Sequence, residues 1–262
     1  LVQLFVRDPE RRTAACARLM IHCTHFFFWW MRTGGLIQIK HGPVPADIPP
    51  SGEPYVMIAN HPSLVDSVLL MGSFYRLNTV AKPSYYNSWM VGRFLRATGN
   101  LCAPTPNSET PFGATLVLDL MVKHLKAGKA LLVFPEGTRS PAHKLRRFRR
   151  GACEAAIQAQ VPIVPVFIDV DPPSLLKGQK WHAIPHEMMT FRIEYLPVIH
   201  TKGRELDARE LNRELHQEFL ARCRALAKQR VPASEPTSTP TPSPSPSPSP
   251  SPSPSPNPSP PM

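Results

Sequence analysis

Acidic residues are scarce in this chain: 19 Asp and Glu stand against 30 Lys and Arg, a formal charge of +11 over 262 residues. Cysteine pairs are missing too. Cys16, Cys23, Cys102, Cys153 and Cys223 are odd in number, widely spaced and without a single CxxC. That argues against a disulfide scaffold and against a structural zinc site of ordinary spacing; buried thiols in a reducing compartment are the simpler reading. No apolar run is long enough to cross a bilayer: the most apolar stretch, Leu19 to Met31 (LMIHCTHFFFWWM), has 13 residues, short of the ~20 that a spanning helix needs. The last segment, Val231 to Met262, has no Lys or Arg and one acid, Glu235, but 14 of the 33 prolines. Leu1 rather than Met opens the chain, so a missing leader peptide weighs little.

What remains is a basic body. Without the tail, 230 residues carry 30 bases and 18 acids, a charge of +12, and that length fits one domain with a real core. At 42% hydrophobic residues the body is not a disordered chain. Its charge calls for a polyanionic partner, either nucleic acid, an anionic membrane surface or a phosphorylated substrate. Nucleic acid is excluded as the partner: no RNP-like, zinc-finger or helix-turn-helix signature is present, and the aromatics cluster instead of interleaving with the bases.

Three regions follow. Residues 1–33 hold the aromatic segment, bracketed by Arg18 and Arg32; neighbouring Trp residues beside Arg suit a helix lying in the headgroup region of a membrane. Residues 34–230 form the domain. Residues 231–262, where Pro alternates with Ser or Thr from Pro240 to Pro256, cannot bury apolar surface and are expected to be extended and solvated, as a spacer or a ligand for a proline-reading domain.

Within the domain, strand-like and helix-like patterns alternate. Strands are expected at Leu36–Ile39, Tyr55–Ala59, Thr79–Ala81, Leu101–Ala103, Ala130–Phe134, Val161–Val170 and Met189–Ile199. Helices are expected at Ser63–Ser73, Ser88–Thr98, Thr115–Ala127, Gly151–Gln160 and Leu206–Lys228. Ala130–Phe134 is an unbroken apolar run, the pattern of a strand buried on both faces, whereas Pro162 and Pro165 weaken the Val161–Val170 strand. The order implies an α/β fold with a mixed β-sheet flanked by helices.

Two clusters carry chemistry. Asn60-His61-Pro62-Ser63-Leu64-Val65-Asp66 directly follows an apolar strand. Pro62 pre-sets a helix start, leaving His61 just outside and Asp66 within the first turns. A carboxylate there can fold back to one imidazole nitrogen and leave the other as a base. The second cluster is Phe134-Pro135-Glu136-Gly137-Thr138-Arg139-Ser140: a glycine that lets the backbone approach a ligand, an arginine fork suited to phosphate oxygens, and a glutamate that orients the arginine or accepts from a polyol.

Together these segments resemble the glycerolipid acyltransferase family, of the 1-acylglycerol-3-phosphate acyltransferase type. That family is marked by His-x4-Asp, then Phe-Pro-Glu-Gly-Thr-Arg-Ser, then Val-Pro-Ile-Val-Pro-Val; this chain has His61 to Asp66, Phe134 to Ser140 and Val161 to Val166 in that order. Lys82 after a strand and Phe148-Arg149-Arg150-Gly151 before a helix are similar to further family features. The resemblance implies fatty acyl transfer from acyl-CoA or acyl carrier protein to a lysolipid hydroxyl, with His61 as base, Asp66 orienting it, and no metal or cofactor beyond the acyl donor. It assigns Glu136, Gly137, Thr138 and Arg139 to the acceptor headgroup. It also implies work at an anionic membrane surface, on the cytoplasmic face, by a peripheral or N-terminally anchored protein. One departure stands out. The family's arginine shortly after the second-motif glycine is absent from Gly99 to Asn107. Either Lys82 and the cluster Arg146, Arg147, Arg149 and Arg150 contact the acceptor phosphate, or the acceptor is another lysolipid such as lyso-ornithine lipid. A catalytically idle lipid-binding module is the rival of a different class.

Overall fold

The computed structural model describes residues 8–103, 112–179 and 185–230. The proline-rich tail and the part of the Gly99–Asn107 stretch beyond Ala103 lie outside the described residues. Seven strands, β1 (Ile37–His41), β2 (Val56–Ala59), β3 (Asn78–Ala81), β4 (Leu101–Cys102), β5 (Leu131–Val133), β6 (Ile163–Asp171) and β7 (Met189–Tyr195), form one sheet in the order β1-β7-β6-β2-β5-β3-β4. All neighbours run parallel except β6 and β7. The helices are α1 (Pro9–Thr33), α2 (Asp66–Ser73), α3 (Pro83–Tyr86), α4 (Val91–Ala97), α5 (Phe112–Lys126), α6 (Gly151–Ala159) and α7 (Ala208–Arg230). The mixed sheet expected from the sequence is therefore present.

Side-chain alternation explains the layers. In β2, Met57 and Ala59 join a core shared with Met20 and Phe28 of α1 and Leu69 and Leu70 of α2. Val56 and Ile58 point the other way, into a core shared with Met121 and Leu125 of α5, Ala152 and Ala156 of α6, and Leu215 and Phe219 of α7. A strand buried on both faces must be apolar at every position, and all four residues of β2 are fully buried. β7 differs: Met189, Phe191, Ile193 and Tyr195 are buried and the residues between them face outward, the period-2 pattern of a half-covered strand.

Pro165 is tolerated inside β6 because pairing with β7 begins only at Val166, opposite Tyr195. The missing N–H therefore leaves no ladder partner stranded, while the Pro165 carbonyl still accepts from the Leu196 N–H at 3.0 Å.

α1 is longer than its apolar segment. Asp8 caps it, accepting from the Arg11 N–H at 2.7 Å, and Pro9 occupies the first turn, where a proline has no bond to lose. Gly34 ends it. α1 packs closely on α2 at Thr24 and Gly72, where a Cβ on Gly72 would overlap the threonine side chain. Among the described residues no helix is long and apolar enough to cross a membrane.

Several local expectations differ from the structure: the strand expected at Met189–Ile199 stops at Tyr195, and the helix expected from Thr115 begins at Phe112. Pro62 does not open a helix: residues 62–65 form a turn and α2 begins at Asp66, because the Asp66 carboxylate, rather than helical backbone bonds, closes the turn onto Ser63. The helix expected at Ser88–Thr98 is shorter, Val91–Ala97, and the short α3 precedes it.

Candidate active site

β2, β3, β5 and β6 run in one direction, so their carboxyl ends share one edge of the sheet. β2 delivers Asn60-His61 there, β5 delivers Phe134-Pro135-Glu136, and β3 delivers Lys82. In open α/β sheets that edge is where ligands bind.

Asn60 fixes the end of β2. Its buried amide donates to the Ile168 carbonyl and accepts from the Ile168 N–H, both at 2.7 Å, locking the first residue of the Asn60–Asp66 segment to β6. His61 follows, and its ring is held from two directions. Nδ1 lies 3.0 Å from Asp66 Oδ2, and one face stacks on Phe134 with centroids 4.1 Å apart and planes 19° apart. A carboxylate only accepts, so Nδ1 carries the proton and Nε2 presents its lone pair. The His61 side chain is 19% exposed and that of Asp66 is wholly buried, leaving the imidazole as the accessible member of the pair.

Asp66 Oδ2 also accepts from the Ser63 N–H at 2.7 Å, while Oδ1 is buried without a partner. Burial pushes the Asp66 carboxyl above the usual carboxylate range; the His61 and Ser63 hydrogen bonds and the charge on Arg139 pull it back in part. An imidazolium on His61 would offset the remaining cost of that buried charge, so the pair is set to take up a proton at Nε2.

Glu136 is buried, and its carboxylate faces protein donors. Oε1 accepts from the His61 N–H at 2.8 Å. Oε2 accepts from the Arg146 N–H at 2.9 Å and from the Ser140 hydroxyl. The Ser140 N–H in turn donates to the His61 carbonyl at 2.8 Å. The residue expected at the acceptor headgroup thus clamps the two motif loops together and grips the backbone of His61 from both sides. Burial raises its carboxyl pKa, and the Arg146 and His61 N–H groups oppose that rise.

The other expected residues fall into two groups. Gly137 has φ +71°, and the Arg149 guanidinium lies over it, its Cζ 3.3 Å from where a Cβ would sit. The half-buried Thr138 is next in the chain, so Gly137, Thr138 and Arg149 lie together. Arg139, in contrast, spends Nη1 on the carbonyls of Leu175 and Leu176, at 2.8 and 3.1 Å, and pins the 172–179 loop. Arg150 is turned toward Glu154 at 3.3 Å. Lys82 is exposed at the start of α3.

Ser63 is buried, with its Oγ near the Val65 N–H. Asn60, Phe134 and Ser140 hold the backbone or ring around His61; the sequence reading gave them no role, although each lies within one of the two motif segments.

Known proteins share this sequence pattern and fold. A protein-family model described as an acyltransferase matches residues 38–169. The 1-acyl-sn-glycerol-3-phosphate acyltransferase of Salmonella typhimurium is 30% identical over 178 residues, covering 67% of this chain and 66% of that protein. The Saccharomyces cerevisiae protein of the same name is 37% identical over 120 residues, covering 44% of this chain and 39% of its own length. The chain thus spans about two fifths to two thirds of the curated relatives it matches. The crystal structure of the 1-acyl-sn-glycerophosphate (LPA) acyltransferase PlsC from Thermotoga maritima superimposes with a TM-score of 0.62 at 20% identity, over 86% of this chain and 85% of that one. The fold is the same.

Proposed function

The chain belongs to the glycerolipid acyltransferase family, and from that premise we propose that it moves a fatty acyl group from acyl-CoA or acyl carrier protein to the free hydroxyl of a lysolipid. The preferred acceptor is 1-acylglycerol-3-phosphate, and the product is phosphatidic acid. The single observation that carries this reading is the His61–Asp66 pair, 3.0 Å apart through Nδ1, which leaves Nε2 without a hydrogen bond among the described residues.

The steps balance without any group beyond the two substrates. His61 Nε2 takes the proton of the lysolipid hydroxyl while Nδ1–H stays on Asp66, whose carboxylate now faces an imidazolium. The deprotonated oxygen bonds to the thioester carbonyl carbon, and the C=O electron pair moves to the carbonyl oxygen. Collapse of that tetrahedral adduct breaks the C–S bond, and the departing thiolate takes the proton back from Nε2. General-base help of this kind contributes roughly 10²–10⁴-fold. No acyl-enzyme is needed, in keeping with the burial of Ser63.

Gly137, Thr138 and Arg149 are the residues best grouped to meet an acceptor headgroup, with Lys82 at the next strand end and Arg150 beside Arg149. Arg139 acts by holding the 172–179 loop and by its charge near Asp66. A second reading, acylation of a different lysolipid such as lyso-ornithine lipid, is favoured by one observation: Gly99 to Asn107 supplies no arginine.

Lipid substrates place the enzyme at a membrane, and α1 supports that. Ala17, Met20, Thr24 and Phe28 face the protein, whereas Phe26, Trp29 and Trp30 are exposed. Such a two-faced aromatic helix suits a peripheral position in the headgroup layer of an anionic leaflet, on the cytoplasmic side where the acyl donors are. Labelled acyl-CoA and acyl carrier protein offered with lysophosphatidic acid, lyso-ornithine lipid and other lysolipids test the assignment. Transfer to lysophosphatidic acid is expected. Exclusive use of another acceptor moves the assignment to that lipid, and vesicle binding without turnover of any acceptor leaves the idle-module reading.

A further inference from the structure

Apolar side chains face water on both flanks of His61, and only one flank is covered by the reading of α1 above. α1 runs into β1, whose Ile37 pairs with Met189 at the start of β7; the next β7 residue, Thr190, pairs with Asp171 at the end of β6. The aromatic end of α1, with Trp29 and Trp30 at 59% and 58% exposure, therefore reaches the same sheet edge as His61. On the far flank, β3 ends at that edge, α3 follows, and Trp89 and Met90 stand 75% and 70% exposed before α4 turns back to β4. Leu64 and Val68, on the connection and helix after His61, are exposed between the two flanks.

The far flank is also basic. The Arg93 guanidinium lies 5.6 Å from the Trp89 ring centroid, and that of Arg96 lies 5.6 Å from the Tyr86 ring. Lys82, Arg93 and Arg96 are all exposed. A large apolar tip ringed by cations, on a body of +12, matches the aromatic and basic belts with which proteins meet the headgroup layer.

We infer that Trp89 and Met90 are a second membrane contact, entering the headgroup region of an anionic bilayer while Arg93, Arg96 and Lys82 meet lipid phosphates. His61 is then held between two seated flanks. The inference rests on the proposed action on membrane lipids, and the experiment separates it from the membrane reading of α1. One variant keeps only Trp89 (Trp29→Phe, Trp30→Phe, Trp181→Phe) and another keeps Trp29 and Trp30 (Trp89→Phe, Trp181→Phe). Each is mixed with phosphatidylglycerol–phosphatidylcholine vesicles carrying brominated acyl chains, and Trp fluorescence is recorded.

Trp89 emission is expected to fall at least about two-fold and to shift to the blue. In parallel, Trp89→Ser with Met90→Ser is expected to weaken vesicle binding about ten-fold, equivalent to about 1.4 kcal/mol. The same variant should lose turnover of vesicle-embedded acceptor but keep turnover of detergent-dispersed acceptor. Arg93→Glu serves as an independent probe and should weaken binding most at low salt. If Trp29 and Trp30 are quenched and Trp89 is not, the inference fails and the α1 reading stands. If Trp89 alone is quenched, the inference stands and the α1 reading fails; if neither is quenched, both fail. A switch from dimer to monomer in the double serine variant, with vesicle binding intact, would assign the surface to a second copy of the chain and overturn the inference.

Discussion

Glu136→Gln separates two roles for the glutamate, holding the acceptor headgroup or holding the His61 backbone. The carboxylate accepts from the His61 N–H on one oxygen, and from the Arg146 N–H and Ser140 hydroxyl on the other. An amide of the same shape has one oxygen. If that oxygen faces His61, the NH2 meets the Arg146 N–H; Ser140 can rotate its hydroxyl and accept, but the backbone N–H cannot. If the amide is flipped, the His61 N–H is the one left without an acceptor. Either way one backbone donor in a buried site loses its short bond to this side chain: the His61 N–H is left without an acceptor, or the Arg146 N–H is left with only the Ser140 hydroxyl oxygen at 3.3 Å, at a cost of about 1–3 kcal/mol. The removal of a buried negative charge offsets part of this. The strain falls on His61 itself, and a base misplaced by about 1 Å loses on the order of 10²-fold in rate. The expected result is a fall in kcat of about 10- to 100-fold with little change in the KM for the lysolipid, and a lower melting temperature. Steady-state kinetics over a range of acceptor concentrations, with a thermal melt on the same preparation, provide the readout. A large rise in KM with kcat and stability intact would refute the clamp and return Glu136 to the headgroup.

Three further outcomes follow from the geometry. Asp66→Asn can keep an oxygen for the His61 Nδ1–H and Ser63 N–H but removes the negative charge that faces the imidazolium, so kcat should fall on the order of 10²–10⁴-fold. Burial raises the Asp66 pKa; the folded state therefore holds that proton more tightly than the unfolded chain, and the ionised form lowers stability as pH rises above the ordinary carboxylate value. Asp66→Asn should accordingly melt no lower than wild type at neutral pH, and a clear drop in melting temperature would contradict the electrostatics. His124 is buried with Nε2 unpartnered, and burial, aided by the charge of Lys129, depresses its pKa from 6.5 to about 4. A depressed folded-state value means stability is lost as pH falls from 6.5 toward 4, by up to about 3 kcal/mol. His124→Leu should flatten denaturant midpoints across that window, and an unchanged slope would refute the assignment. Arg139→Ala frees the Leu175 and Leu176 carbonyls, so amide exchange in residues 172–179 should quicken and acceptor use weaken; unchanged exchange would count against the pin.

Much of this architecture was legible in the residues. The unbroken apolar runs at Tyr55–Ala59 and Ala130–Phe134 mark the two central strands because a strand covered on both faces has no polar position to offer. The five-residue separation of His61 and Asp66 pointed correctly to their contact. The path of the intervening chain was not legible, because the turn is closed by the Asp66 side chain rather than by the helix that Pro62 suggested. Pro165 weakened a strand that in fact runs nine residues, since its tolerance depends on where a neighbour 30 residues away stops pairing. Glu136 illustrates the general limit. Its type and motif announce a functional carboxylate, but its donors come from His61, 75 residues earlier in the chain, and from the Arg146 loop. Only the packed structure brings those together. Likewise α3 is a single turn, too short to register as a period.

The central claim is that His61 removes the acceptor proton, and single-turnover acyl transfer to lysophosphatidic acid tests it most directly. Wild type, His61→Ala and His61→Gln are compared at saturating donor and acceptor, with circular dichroism and donor binding confirming that each variant is folded. The account predicts rapid formation of phosphatidic acid by wild type, and loss of at least about 10²-fold by both variants with donor binding retained. Transfer by His61→Ala at the wild-type rate would contradict it.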